Sequence, residues 1–485
     1  MEQKLQPGSP LQEYYAYLGN ERIQMWEQGE ERYLFLPSYA SRENLFYSKK
    51  LKKVEFQTLS SAHLDTIFLD TESNSLDSIY ENKENKERGK IRIYNENGEQ
   101  LLSTGLAYIK GRGNYTWTNW DKKTFSIVLE QSRSLLGLPE GKKYVLFANA
   151  SDDTLLRNHI GRALEEALEL PFSHTGKYVD LYINGNYMGN YYLVDALELG
   201  ENRINVDSLE ESMSRMYQKQ SSEKYEIEQT GTRKAYLLPE NPEDITGGYL
   251  LEREFGERFR LEMGEMGGGL TTKSGECIII KSPNQSSKEE IEYLEQFLND
   301  LEQALKETDS SYQKFLDIDT FSRKYLAEEL MKNYDASVSS SFFYKDSDAG
   351  DGRLKGAPGW DYDMSLGSYL DWMDYDTKDG TGFTKLQSGT TSSWWWSALL
   401  EKEDFKQQVV TLYQDKASAF LKQLIEKEIP MWEEQLQPSA QMDAIRWHSM
   451  YSEKGYFPTE PENYQKLQRF IGERKQFFDK LWGDS

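Results

Sequence analysis

The feature that most constrains the fold is a change of hydrophobic pattern along the chain, from strand-like to helix-like. Several short segments alternate apolar and polar residues or are bounded by turn signals, as β-strands are. These segments are residues 66–70, 90–94, 105–110, 143–150, 177–183 and 187–194. An Asn184-Gly185 turn typical of hairpins joins the last two. Beyond residue 283 apolar residues recur with a helical period. This order predicts an α+β fold, with a mostly antiparallel sheet first and helices afterwards.

The same pattern predicts the domain organisation. Residues 1–55 are polar and are interpreted as an N-terminal tail or adapter, and residues 56–485 as one main domain. Within it, residues 56–283 are predicted to form a sheet-rich lobe with one interrupting helix and an exposed insertion near 207–243. Residues 284–485 are predicted to form a helical lobe, with a cleft between the two lobes.

Composition excludes several classes of function. The 485 residues carry a net charge of −24, which argues against general binding of nucleic acid or anionic membranes. The one cysteine, Cys277, excludes an intramolecular disulfide and a multi-cysteine zinc site, and four scattered histidines make a histidine-rich metal site improbable. No apolar run is long enough to span a membrane, and residues 1–10 lack the apolar core of a signal peptide.

Residues 326–367 contain the acidic residues that are candidates for chemistry. A helical segment delivers Asp335, and a strand and a polar turn then lead to Asp361 and Asp363 before a closing glycine. Carboxylates at strand ends and in loops can hold a hard cation such as Mg²⁺ while one of them accepts a proton from a substrate. The alternative is that Asp361 and Asp363 only cap turns.

Basic residues earlier in the chain are candidates for binding phosphate. Lys110 and Arg112 flank glycines in Lys110-Gly111-Arg112-Gly113, where the backbone can approach phosphate oxygens closely. An ordinary hairpin uses the same glycine pattern. Lys122 and Lys123 precede a strand and are predicted to point to opposite faces, and Arg157 lies in the first turn of a helix.

Together these motifs resemble the spore coat protein H (CotH) kinase family, an atypical kinase family, over residues 66–482. The resemblance rests on the order in which the motifs occur. They are Lys110-Gly-Arg-Gly-Asn, the Lys122-Lys123 pair, Asp153-Thr-Leu-Leu-Arg157-Asn, Val179-Asp-Leu-Tyr-Ile-Asn-Gly-Asn-Tyr-Met-Gly, Gly247-Gly-Tyr-Leu-Leu-Glu252, Asn333-Tyr-Asp335 and Trp360-Asp361-Tyr362-Asp363.

The resemblance implies a bilobed protein-kinase-like fold and an ATP- and Mg²⁺- (or Mn²⁺-) dependent kinase acting on Ser or Thr of a protein. It implies that Asp335 orients or deprotonates the acceptor hydroxyl and that Asp361 binds the metal that bridges the ATP phosphates. One lysine of the Lys122-Lys123 pair would contact those phosphates, with Arg157 and Asp363 in support. These roles suit phosphoryl transfer, which needs alignment and charge neutralisation more than covalent chemistry.

One position departs from the kinase pattern. Kinase catalytic loops carry a metal-binding asparagine five residues after the catalytic aspartate, and here that residue is Ser340. A serine hydroxyl is a poorer Mg²⁺ ligand than an amide oxygen, so a second metal is expected to be held loosely, replaced by water or absent.

The sequence is also compatible with two other functions. The first is that of an inactive kinase-like scaffold in surface or spore-coat assembly. The second is another ATP-dependent transfer, either nucleotidylation or glutamylation. The family resemblance also implies an exported bacterial protein at the cell surface or spore, with a cytoplasmic protein as the alternative.

Overall fold

The computed structural model describes residues 9–41, 43–217, 226–265, 267–337, 339–368 and 393–483. The chain forms two compact units, each assembled from separate parts of the sequence. The first unit contains Met1–His159, Thr175–Ala196 and Ile425–Gln468, and the second contains Ile160–His174, Leu197–Leu424 and Arg469–Ser485. The fold is mixed α+β, as predicted, with several sheets and a helical C-terminal part.

The strands occur along most of the chain up to residue 356. In order they are β1 (Ser9–Leu18), β2 (Glu21–Gln28), β3 (Glu31–Leu36), β4 (Leu45–Tyr47), β5 (Gln57–Ser60), β6 (Asp65–Thr71), β7 (Glu87–Tyr94), β8 (Gln100–Arg112), β9 (Thr124–Arg133), β10 (Gly141–Phe147), β11 (Lys177–Ile183), β12 (Asn186–Asp195), β13 (Ile227–Gln229), β14 (Arg233–Tyr236), β15 (Tyr249–Glu254), β16 (Gly268–Thr271), β17 (Cys277–Ser282), β18 (Ser341–Lys345) and β19 (Leu354–Gly356).

The longest helices of the described residues lie beyond residue 287. In order the helices are α1 (Asp77–Glu81), α2 (Tyr115–Asn119), α3 (Arg157–Ala167), α4 (Leu209–Tyr217), α5 (Gly256–Glu265), α6 (Lys288–Lys306), α7 (Ile318–Met331), α8 (Trp394–Leu400), α9 (Glu403–Leu412), α10 (Ser418–Gln423), α11 (Ile429–Arg446), α12 (His448–Lys454) and α13 (Pro461–Trp482). None of the helices in the described residues is both long and apolar enough to cross a membrane.

Strands β6–β12 close into a barrel in the order β10-β12-β11-β6-β7-β8-β9. Neighbouring strands are antiparallel except β6 and β11, which confirms the predicted antiparallel pairing. The sequence did not predict that these strands close into a barrel, because closure depends on which two edge strands pair. Every residue of β12 after Asn186 is buried, so this strand lacks the alternation of a half-exposed one.

The N-terminal residues are not the irregular tail that their polarity suggested. Strands β1–β5 form a sheet in the order β4-β1-β2-β3-β5. Apolar residues of this sheet, including Ile23, Met25 and Phe35, share one core with Phe68, Tyr182 and Tyr187 of the barrel. Charged residues between the apolar ones obscured the pattern in the sequence. The domain boundary at residue 55 stays a prediction.

A buried ion pair joins α11 to the barrel within the first unit. The Lys122 ammonium lies 2.7 Å from the Asp443 carboxylate, and both side chains are fully buried. Lys122 also donates to the carbonyl of Asn190, at 2.7 Å. Gly189 makes the approach of α11 possible, because a Cβ there would lie 2.1 Å from the Asp443 carboxylate.

The second unit is built on a seven-stranded antiparallel sheet in the order β13-β14-β16-β17-β15-β18-β19. The predicted exposed insertion near 207–243 contributes to it, since β14 pairs with β16 and α4 buries Leu209 and Met213. Trp395 and Trp396 of α8 are buried in the core, and their rings lie 5.8 Å and 6.3 Å from the ring of Phe343 of β18 at tilted angles.

We expect the Lys122–Asp443 pair to be required for the stability of the first unit. Lys122→Met leaves a buried carboxylate without its cation and should lower the free energy of unfolding by about 3–5 kcal/mol. The double variant Lys122→Met/Asp443→Asn should recover most of that loss, because no buried charge remains. Denaturant unfolding of both variants checks this, and an unchanged stability in Lys122→Met would contradict it.

A second prediction concerns the capping box that begins α6. The Ser287 amide donates to the Glu290 carboxylate at 2.8 Å, and Glu290 is fully buried. Burial raises the pKa of Glu290 from 4.5 to about 7. The folded chain therefore holds a proton that the unfolded chain releases, and stability falls as pH rises from about 4.5 to 7.

Glu290→Gln should remove this part of the pH dependence while the amide oxygen keeps the capping bond. The difference in unfolding free energy between variant and wild type should shift by roughly 3 kcal/mol from pH 4 to pH 8, since one pKa unit is worth about 1.4 kcal/mol. Parallel pH profiles for the two proteins would show that Glu290 ionises in the folded chain much as in the unfolded one.

Candidate active site

The end of α7 places Asp335. The helix begins at an N-cap, Asp317, whose side chain accepts from the Thr320 amide, and it ends where Lys332 adopts a left-handed conformation with φ of 47°. That conformation turns the chain out of the helix. Asp335 then opens a 3₁₀ turn, Asp335–Ser337, and is partly exposed.

One amide side chain ties this turn to its surroundings. Asn333 donates through Nδ2 to the Glu328 carboxylate and to the Asp361 carbonyl, both at 2.9 Å. Its carbonyl oxygen accepts from the Asp335 amide at 3.3 Å. Asn333 therefore uses both donors and its acceptor, and it fixes the backbone of Asp335 beside that of Asp361.

Backbone bonds hold the same two segments together. The Tyr334 amide donates to the Met364 carbonyl at 3.1 Å, and the Leu366 amide donates to the Met331 carbonyl at 2.9 Å. Inside the second segment the Asp363 amide donates to the Asp361 carboxylate at 3.4 Å. Asp335, Asp361 and Asp363 thus lie on two adjoining segments of the second unit.

A buried glutamate supports the segment that carries Asp361. The Glu165 carboxylate accepts from the Gly359 amide and from the Tyr362 hydroxyl, the latter at 2.9 Å, and its other oxygen accepts from Ser173 at 3.2 Å. Burial raises the pKa of Glu165 to about 7. Gly359 has no room for a Cβ, which would lie 2.2 Å from the Tyr362 hydroxyl.

The negative charges around Asp335 alter its chemistry. Burial by the surrounding chain raises the pKa of Asp335 to about 7, and the charges of Asp363, Glu328 and Glu252 raise it further. A carboxylate with a pKa near neutrality is suited to accept a proton from a hydroxyl at physiological pH.

Ser340, the residue in the place of the kinase asparagine, lies between this turn and β18. It adopts a left-handed conformation with φ of 50° and is partly exposed. Its neighbour Ser339 is more firmly held, because the Ser339 amide donates to the Asp335 carbonyl at 2.7 Å and its hydroxyl donates to Glu254 at 3.2 Å.

The predicted basic residues all belong to the first unit. Lys110 forms a 2.5 Å ion pair with Glu84, whose side chain is 52% exposed. Lys123 donates to the carbonyls of Trp117 and Trp120, both at 2.5 Å. Arg112 ends β8 and is partly exposed.

Arg157 and Lys122 are fully buried. Arg157 pairs with Asp152 and with Asp153, the second at 2.5 Å, and Lys122 pairs with Asp443 as described above. The roles of all five basic residues in phosphate binding stay predictions.

A family model described as CotH kinase protein matches residues 109–478, well over half of the chain. The chain belongs to the CotH kinase protein family. The match spans every candidate residue from Lys110 to Asp363, and it begins within β8, so β1–β7 lie outside it. The chain has no significant match among curated proteins.

The acidic residues of this CotH family member suit a divalent cation. Asp361 and Asp363 offer hard carboxylate oxygens, and Mg²⁺ is usually bound by one or two carboxylates together with substrate phosphates and water. Burial, and then the negative charges of Asp363, Glu328 and Glu252, raise the pKa of Asp335. A cation held by Asp361 and Asp363 would counter that charge.

Sequence reasoning missed three acidic residues that act on the site. Glu328, Glu165 and Glu252 contact or charge the two segments, although each lies far from Asp361 in sequence. Glu252 closes a motif quoted for the family resemblance, and Glu328 lies beside Glu329 among the buried residues of α7. A charged residue inside a buried helix or strand was the signal that could have found them.

Glu165 should govern the order of the segment that carries Asp361. Glu165→Ala removes the acceptor of the Gly359 amide, so that amide should exchange with solvent about 10–100-fold faster, the ratio expected for the loss of a charged hydrogen bond. Glu165→Gln keeps an acceptor oxygen and serves as the matched control. Hydrogen exchange read by mass spectrometry checks this, and equal exchange in Glu165→Ala and wild type would contradict it.

Proposed function

We propose that the protein is an ATP- and Mg²⁺-dependent protein kinase that phosphorylates Ser or Thr of a protein. The observation that carries the proposal is the placement of Asp335 beside the segment that contains Asp361 and Asp363, in a member of the CotH kinase family. Catalytic and metal-binding aspartates on adjoining loops are what phosphoryl transfer requires.

In this proposal Asp335 orients the acceptor hydroxyl and accepts its proton. Burial and the neighbouring carboxylates raise the pKa of Asp335 to about 7 in the metal-free chain, and a cation on Asp361 and Asp363 would lower it, so that the carboxylate is deprotonated and able to accept the proton. Asn333 keeps the carboxylate aligned by holding the Asp335 amide. Asp361 and Asp363 would hold Mg²⁺, which supplies neutralisation of the phosphate charge when bound.

Among the basic candidates, Lys110 would lose the least stability if it left its present ion pair to contact phosphate. Its ion pair with Glu84 is largely exposed, and exposed pairs contribute little to stability. Arg157 and Lys122 are the most costly to move, because their pairs with Asp152, Asp153 and Asp443 are buried. We therefore infer that Arg157 stabilises the residues before α3, and that Lys110, Arg112 and one lysine of the Lys122-Lys123 pair contact ATP.

The acceptor that we propose is a secreted or surface protein, on the bacterial cell surface or the spore. This setting follows from the family alone. The alternatives are a kinase-like scaffold without activity, which Ser340 in place of the metal-binding asparagine favours, and the transfer of a nucleotide or of glutamate on the same fold.

Incubation with ATP and Mg²⁺ tests the proposal. The wild-type protein with a Ser/Thr-rich acceptor should yield products that gain the mass of phosphate, and chelation of the metal should abolish the gain. Asp335→Asn should slow transfer by about 10²–10⁴-fold, the usual contribution of a general base. Asp361→Asn should remove the dependence on Mg²⁺ together with the activity.

Asp300→Asn, which removes the same charge from the exposed face of α6, is the matched control and should retain full activity. A product heavier by a nucleotide would replace the kinase proposal with nucleotidylation. Absence of ATP binding in calorimetry, with and without Mg²⁺, would favour the scaffold. Equal rates of phosphate transfer in Asp335→Asn and wild type would show that Asp335 is not the general base.

A further inference from the structure

A second acidic cluster of the second unit lies where β15 meets α5. Glu252 and Glu254 are two residues apart on β15 and so share one face of the strand, and Glu262 extends from α5. One carboxylate oxygen from each residue lies within 4.8 Å of those of the other two. Glu252 and Glu254 are only 6% and 2% exposed.

Two basic side chains compensate part of this charge. The Lys281 ammonium lies 2.8 Å from Glu252 and 3.6 Å from Glu262, and Arg258 lies 2.6 Å from Glu262. Three carboxylates therefore face two cations, of which Lys281 pairs with Glu252 and Glu262 and Arg258 pairs with Glu262.

Glu254 is the residue that these contacts leave unsatisfied. Its Oε1 accepts from the Ser339 hydroxyl, but its Oε2 is buried and has no hydrogen-bond donor within the described part of the chain. Burying a carboxylate without a cation or a full set of donors is costly. An additional cation between the three glutamates would remove that cost.

We propose that Glu252, Glu254 and Glu262 bind a hard divalent cation, Mg²⁺, Mn²⁺ or Ca²⁺, at a site separate from Asp361 and Asp363. The donors are carboxylate oxygens, which such cations prefer. Lys281 is 28% exposed, so its ammonium can move into solvent when the cation enters. The proposal rests on these contacts and does not depend on phosphoryl transfer.

The site would also stiffen the turn that follows Asp335. Ser339 donates its hydroxyl to Glu254 and its amide to the Asp335 carbonyl, so Glu254 and the turn are linked through a single residue. Fixing Glu254 on a cation restricts Ser339, and Ser339 restricts the backbone that carries Asp335. The cation is thus a positioning element for Asp335.

A titration with Mn²⁺ in the absence of nucleotide tests the proposal. The background is the full chain with Asp361→Asn and Asp363→Asn, so that the other metal site is removed. This protein should still bind one Mn²⁺, as measured by the loss of the free Mn²⁺ signal in electron paramagnetic resonance. Mg²⁺ or Ca²⁺ should displace it in competition.

Glu254→Gln and Glu262→Gln, each in that background, should weaken Mn²⁺ binding by about tenfold or more. Glu257→Gln, an exposed charge removed from the same helix, is the matched control and should not change the affinity. Lys281→Met should tighten binding, because it removes the competing ammonium. Circular dichroism checks that each variant folds. If Glu254→Gln does not fold, the Mn²⁺ affinity of Glu262→Gln, at the less buried position, tests the proposal.

The proposal is overturned when the Asp361→Asn/Asp363→Asn protein binds no Mn²⁺, or when Glu254→Gln and Glu262→Gln bind it as tightly as that background. A chain that binds Mn²⁺ here but transfers no phosphate keeps this site and loses the kinase function. A chain that transfers phosphate but binds Mn²⁺ independently of Glu254 and Glu262 keeps the kinase function and loses this site.

Discussion

The second unit depends on the side chain of Asn333, which joins two segments that carry negative charge. Asn333 donates to Glu328 and to the Asp361 carbonyl while it accepts from the Asp335 amide. These bonds help to keep the Asp335 turn next to residues 359–367. The two backbone bonds from Tyr334 and Leu366 then fix the register of the segments.

The close placement of these segments has an electrostatic consequence. Like charges within a partly desolvated region raise one another's pKa, and at Asp335 this effect comes from Asp363, Glu328 and Glu252. A protein with a net charge of −24 has no general excess of cations to offset it. The acids around Asp335 and on β15 therefore form a negatively charged environment, and a divalent cation bound there, as proposed, would offset part of that charge.

Membership of the CotH kinase protein family covers residues 109–478, and the strands before β8 extend beyond that match. In this chain β6 and β7 complete the barrel, and β1–β5 share its aromatic core around Phe68 and Tyr182. The N-terminal sheet is thus packed against the barrel as part of the first unit. The kinase-like bilobed arrangement stays a prediction from the family resemblance.

The sequence by itself determined the α+β class, the antiparallel pairing around Asn184-Gly185, the helices of the C-terminal part and the choice of Asp335, Asp361 and Asp363 as candidates. These follow from local periodicity, turn chemistry and the order of motifs. The tertiary structure alone decided that the first strands close into a barrel, that Lys122 is buried against Asp443, and that Glu165, Glu252 and Glu254 surround the site. Such contacts join residues tens to hundreds of positions apart, and no local pattern encodes which distant side chain satisfies a buried charge.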